Sequence, residues 1–214
     1  QASPARAGRK HRHADPDAER WWCPHIMWDI LPRGGASQVH THFQISLCKD
    51  RYFAQWEERR TAARRYAGRT SGRNYWRDLA LAHDAAGLAI RRGNAVAFAS
   101  LTPPVGTEMI LMADSLSDDL AALMYDVLEQ LFKRVGMRAF SMGVALPPLG
   151  AMARVKDPLR MPVICKIVDR GNPDDVRSDM SANEIYGSPI ISTDPFSLAR
   201  QIAAGMAEAR EARE

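Results

Sequence analysis

The chain has 214 residues and a mass of 23.8 kDa, enough for one large domain or two small ones with a real core. Hydrophobic residues make up 46% and charged residues 25%, the balance of an ordinary globular protein. The longest apolar runs, such as Ala95 to Ala99, fall far short of the roughly 20 residues of a membrane-spanning helix. Three cysteines, Cys23, Cys48 and Cys165, with no C-x-x-C pair, support neither a disulfide framework nor a four-cysteine zinc site. They point to a soluble protein of a reducing compartment, cytoplasm or organellar matrix. The net charge of +4 is too small alone to mark a nucleic-acid binder.

Residues 1–20 begin with Gln1 and are basic, rich in small residues and unpatterned. They read as a flexible tail with solvated His11 and His13, left by a removed targeting peptide, by a boundary of the expressed chain or by a linker. The apolar, aromatic stretch from Trp21 predicts a strand near 25–31, stopped by the turn signal Pro32-Arg33-Gly34-Gly35. The next segment alternates: Val39, Thr41, Phe43, Ile45 and Leu47 on one side, His40, His42, Gln44 and Ser46 on the other. It predicts a strand over 39–47 with one buried face and one carrying chemistry.

Helical spacing over 50–68 and 74–92 predicts two helices with a polar break between them, His83 solvated on the second. Eight arginines against Glu57 and Glu58 over residues 51–77 form a local excess larger than that of the whole chain. They read as a solvated helix face or as a contact for phosphate, RNA or an acidic protein. Strands follow at 95–101 and 108–112, then a helix opened by Ser115, Asp118 and Asp119 and closed by Gly136. Strands at 138–145 and 162–168 and a helix over 196–211 complete the chain. This order predicts an α+β fold, an antiparallel sheet with helices packed on one face. Met109, Met112, Met124 and Met142 read as core filler. Trp21, Trp22, Trp28, Trp56 and Trp76 read as core or as a contact surface.

The chemistry concentrates before and along the 39–47 strand. Period two sets His40, His42 and Gln44 about 6.5 to 7 Å apart in succession on one face. The preceding turn, Gly34-Gly35-Ala36-Ser37, offers backbone N–H groups and a hydroxyl to an anion. An imidazole nucleophile with donors for phosphate oxygens is the equipment of phosphoryl-linked group transfer.

Gly35-Ala36-Ser37-Gln38-Val39-His40-Thr41-His42-Phe43-Gln44 resembles the G-A-S-x-x-H-x-H-x-Q motif of the histidine triad superfamily. The branch it is similar to holds galactose-1-phosphate uridylyltransferases, nucleoside-diphosphate-sugar phosphorylases and diadenosine tetraphosphate phosphorylases. The resemblance runs more weakly over residues 25–210, mainly following that branch's C-terminal repeat. It implies a remnant of a first repeat over 21–77 and a second repeat over 78–214. It implies a nucleotidyltransferase, or a nucleotide-sugar or dinucleotide phosphorylase, working through a nucleotidyl-histidine. His42 would be the nucleophile, and His40 would orient the site or ligate a metal. Gln44 would hydrogen-bond the phosphate, with Gly35 and Ser37 beside it. A nucleotide or nucleotide-sugar substrate and a homodimer are implied too.

Three departures accompany the resemblance. Most of the first repeat, with its Cys/His metal site, is not seen upstream of the motif; residues 162–168 hold no histidine; and Phe43 stands where the uridylyltransferases have glycine. They leave a second expectation open, a catalytically inactive scaffolding subunit of a larger protein or ribonucleoprotein complex, possibly organellar. The sequence identifies no cofactor with certainty. A zinc site from Cys23, His25 and His40 is the one metal set the sequence offers, and it lacks a nameable fourth ligand.

Overall fold

The computed structural model describes residues 20–212 except 39, 155, 156, 158, 178–181, 183–185 and 189–192. Residues 1–19, with His11 and His13, and Val39 of the expected motif strand lie outside the described residues. Eight strands are seen among these: β1 (Trp21–Ile30), β2 (Gln44–Lys49), β3 (Ala89–Arg92), β4 (Ala95–Ala99), β5 (Glu108–Ala113), β6 (Phe140–Ala145), β7 (Leu149–Gly150) and β8 (Val163–Asp169). The long helices are α1 (Ala54–Arg69), α2 (Tyr75–Ala85), α3 (Asp118–Gln130) and α4 (Pro195–Glu211). All the strands pair antiparallel in one sheet, in the order β2-β1-β6-β8-β5-β4-β3, with β7 on β1. The α+β class expected from the sequence is the one observed.

Local chemistry explains most boundaries. The Asn74 side chain accepts from the backbone N–H groups of Trp76 and Arg77 and opens α2. Ser117 accepts from Leu120 and opens α3, while Asp194 accepts from Phe196, with Pro195 next, and opens α4. Gly87, at φ 72°, closes α2, as its N–H reaches Asp84 and that of Leu88 reaches His83. The helix expected to run to 92 therefore stops at Ala85, and residues 89–92 become β3, paired to β4 around Gly93-Asn94.

Helices flank both faces of the sheet, where packing on one face was expected. The reason lies in β4 and β5, whose residues are buried on both sides. Ala95, Ala97, Ala99, Met109 and Leu111 pack with Leu120, Leu123 and Val127 of α3 and Leu198 and Ile202 of α4. Val96, Phe98, Ile110 and Met112 pack with Trp56 of α1 and Trp76 and Ala80 of α2. Trp56 and Trp76 are thus core. His83 is buried rather than solvated: its Nδ1 meets the Leu79 carbonyl at 2.8 Å and its ring lies 4.2 Å from Phe98.

At the other end, β1 and β2 extend past the α3–α4 layer. The expected alternation along the motif segment holds, but the side expected to be buried is open: Phe43, Ile45 and Leu47 are 57%, 73% and 58% exposed. β2 is an edge strand, so its apolar side meets only the flank of β1, where Phe43 touches Trp28 at 4.8 Å.

Candidate functional site

β2 begins at Gln44, so His40 and His42 lie in the irregular run ahead of it rather than within a strand. The two rings are 5.6 Å apart. His42 is half-buried, and its Nδ1 lies 3.1 Å from the backbone oxygen of its neighbour His40. A carbonyl only accepts, so in the neutral ring Nδ1 carries the proton and the lone pair is on Nε2. His40, Gln44, Gly35 and Ser37 are exposed.

The turn before the histidines is anchored from below. Ser141 of β6 donates to the Gly34 carbonyl at 2.6 Å, and a Cβ on Gly34 would collide with the backbone carbonyl of Phe140. Only glycine fits there. Gly35 sits at φ 97° against the Asp29 carboxylate. The N–H groups of Gly34, Gly35 and Ala36 are engaged by the carbonyls of Leu31 and Pro32 at 2.9 to 3.1 Å. These three are therefore not aimed at an anion as expected, because the turn closes on itself; the Ser37 N–H and hydroxyl are the turn's remaining donors of those named. Arg33, which carried no sequence signal beyond the turn, donates Nε to the Arg170 carbonyl at 2.8 Å and Nη1 to the carbonyls of Asp175 and Arg177. It straps the turn to the loop after β8.

Register identifies what shares the motif's face. Directly paired residues project to the same side of a sheet, and one row reads Gln44, Met27, Gly143, Lys166, Ile110 across β2, β1, β6, β8 and β5. The adjacent row reads Asp29, Ser141, Val168, Glu108. A cavity of about 420 Å³ opens over these rows, with Asp29, Ser141, Lys166 and Arg170 as polar wall, Gly143 in its floor, and Gln55 and Trp56 of α1 on its side. His40, His42 and Gln44 lie outside its lining, at the sheet edge; the motif turn reaches it through Asp29 and Ser141. Beneath, Lys166 Nζ lies 2.8 Å from Glu108, with side chains 12% and 1% exposed. Burial pulls the Lys166 ammonium below its usual range, and the Glu108 carboxylate works against that pull.

The residues of the expected zinc set do not fit a metal. Among the described residues no three His, Cys, Asp or Glu side chains gather as a metal would require. His25 is buried between Tyr52 and Phe53, and its Nε2 accepts from the Phe53 N–H at 3.3 Å. The Cys23 thiol is pushed up to about 12 by burial, reinforced by the Glu57 charge, the opposite of a ligating thiolate. The arginines of 51–77 are in part engaged internally: Arg60 with Glu57, Arg64 with Asp157 at 2.7 Å, Arg73 with Asp78 at 2.9 Å, and Arg59 over the Trp56 ring.

This combination, an antiparallel sheet with a Gly-Gly-Ala-Ser turn and an H-x-H-x-Q run at its edge, defines a class by its fold. The chain shares its fold with solved structures titled as a uridylyltransferase and as an ADP-glucose phosphorylase. A solved structure titled as a uridylyltransferase superposes with a TM-score of 0.67 at 16% identity, over 86% of this chain and 60% of that one. An ADP-glucose phosphorylase from Arabidopsis thaliana with bound ADP-glucose gives 0.63 at 14% identity, over 84% and 57%. A GalT-like protein from the same plant gives 0.61 at 15%, over 84% and 59%. The chain thus spans about 60% of the length of the first of these structures. No protein-family model and no curated protein sequence matches it. No helix among the described residues is long and apolar enough to cross a membrane.

Proposed function

We propose that this protein is a nucleotidyltransferase, or a nucleotide-sugar or dinucleotide phosphorylase, that works through a covalent nucleotidyl-histidine on His42. The observation that carries the reading is the 3.1 Å contact from His42 Nδ1 to the His40 carbonyl. It fixes the tautomer in which Nε2 is nucleophilic before any substrate arrives. In the first half-reaction the Nε2 lone pair attacks the α-phosphorus of a nucleotide. The N–P bond forms as the P–O bond to the leaving phosphate or sugar phosphate breaks, and the charged histidine adduct is held by its hydrogen bond to His40. In the second half an acceptor phosphate oxygen attacks the same phosphorus and Nε2 leaves. The Gln44 carboxamide and the Ser37 hydroxyl are the donors that would neutralise the non-bridging oxygens. No metal enters either step as written.

Intact-protein mass spectrometry after incubation with ATP, GDP-sugars, UDP-sugars and dinucleoside polyphosphates tests this without knowledge of the acceptor. A gain of one nucleoside monophosphate is expected, and it is absent in His42→Asn. No adduct from any donor, together with no nucleotide binding, sinks the reading.

The exposed row Phe43, Ile45 and Leu47 favours a second reading, a scaffolding subunit whose partner covers β2. On that reading Ile45→Lys releases the protein from a salt-resistant complex while leaving its own fold intact. Native co-purification of both forms is the check, and a monodisperse free wild-type monomer counts against it.

A further inference from the structure

A second cavity, of about 330 Å³, lies on the same sheet face as the first but at the opposite ends of the strands. It shares no lining residue with the first. Its floor is apolar: Val96 of β4, Met112 of β5, and Ala80 and Trp76 of α2. Its rim is cationic. Arg77, Arg91 and Arg160 line it against a single carboxylate, Asp114. Part of the Arg91 charge is answered by Asp84 at 3.2 Å outside the cavity, and Arg160 reaches the Pro148 carbonyl only at 3.5 Å.

The backbone adds positive potential. The cavity sits at the N-terminal end of α2, where Asn74 both caps the helix and lines the wall, so the positive end of an eleven-residue helix is directed there. Trp76, in the lining, is only 4% exposed, so its ring forms part of the apolar floor.

We propose that this cavity binds a small organic anion: an apolar ring or chain seated on Trp76, Val96 and Met112, with its phosphate or carboxylate met by Arg77 and Arg160. Apolar floor, convergent donors and size match a site for a ligand of that kind, and the arginines select charge over a neutral analogue. The site stands apart from the motif at His42, so it does not depend on the reaction proposed above. An organic anion held here would act as a co-ligand, distinct from the nucleotide at the sheet edge.

The indole signals of the five tryptophans in ¹⁵N-labelled protein give a readout confined to this place. The signal missing in Trp76→Phe is that of Trp76. Titration with phenyl phosphate, with benzoate, and with neutral benzyl alcohol is expected to move it saturably for at least one anion and not for the alcohol. Whichever anion acts identifies the head group. Arg77→Gln and Arg160→Gln, both at exposed positions, are expected to weaken that saturation by fivefold or more each, and His42→Asn to leave it unchanged. A Trp76 signal unmoved by either anion, an equal response to the alcohol, or full affinity in both arginine variants overturns the proposal.

Discussion

His25 shows how burial converts a titratable residue into a structural one. Its burial lowers the affinity for a proton, and its Nε2 must stay unprotonated to accept from Phe53. The unfolded chain takes up a proton near pH 6.5 while the folded chain does not. Stability is therefore full above about pH 6.5 and is lost as pH falls from there toward the lowered folded value. Urea denaturation between pH 7.5 and 5 is expected to show that decline, with a shallower slope in His25→Leu; equal slopes would refute it. Lys166 and Glu108 make the complementary case. Lys166→Met strands a carboxylate that is 1% exposed and is expected to cost about 3–5 kcal/mol. The double variant Lys166→Met with Glu108→Gln recovers most of that loss. Equal stability of single and double variants in chemical denaturation would show that the pair is not coupled.

At the scale of elements, the motif is positioned by a turn whose own packing depends on β6. Gly34 lies so close to Phe140 that Gly34→Ala must push the turn outward, straining the Ser141 hydrogen bond. We expect a loss of about 1–3 kcal/mol and, in the adduct assay, a yield well below wild type although every motif side chain is present. Wild-type stability with wild-type adduct formation would place the motif's support elsewhere. Much at this scale was readable from sequence. Ser115 with Asp118 and Asp119 located α3 to within a few residues, although the cap is Ser117, and period two separated Gln44 and Ser46 from Phe43, Ile45 and Leu47. Alternation distinguishes two faces but does not say which has a neighbour, so the apolar side was expected inside. β3 was hidden because apolar spacing continues through Leu88 while the stop, Gly87, is only one residue in the run.

At the scale of the molecule, what sequence could not supply is what the sheet assembles from distant residues. Asp29, Ser141, Lys166 and Arg170 come from β1, β6, β8 and the segment after β8, and only the register brings them to one cavity. The Lys166–Glu108 pair spans strands whose pairing no local pattern announces, and the arginines of the second cavity, Arg77, Arg91 and Arg160, come together only in the fold. The fold class was legible because antiparallel order and helix spacing are local signals. The motif residues were legible because they are consecutive in the chain, and their environment was not.

β2, which leads out of the motif, is hydrogen-bonded to β1 alone. Releasing it breaks a single ladder and leaves the two packed cores in place, so the free energy of that local opening lies well below that of global unfolding. The fraction of molecules with His42 and Gln44 in binding-competent positions is then governed by this fraying equilibrium. On the proposed function, apparent affinity for a nucleotide would scale with that fraction. Substitutions on β2 thus tune occupancy of the site without altering the melting temperature, and a ligand that bridges Ser37 and Gln44 would register first as slowed amide exchange along residues 44–49.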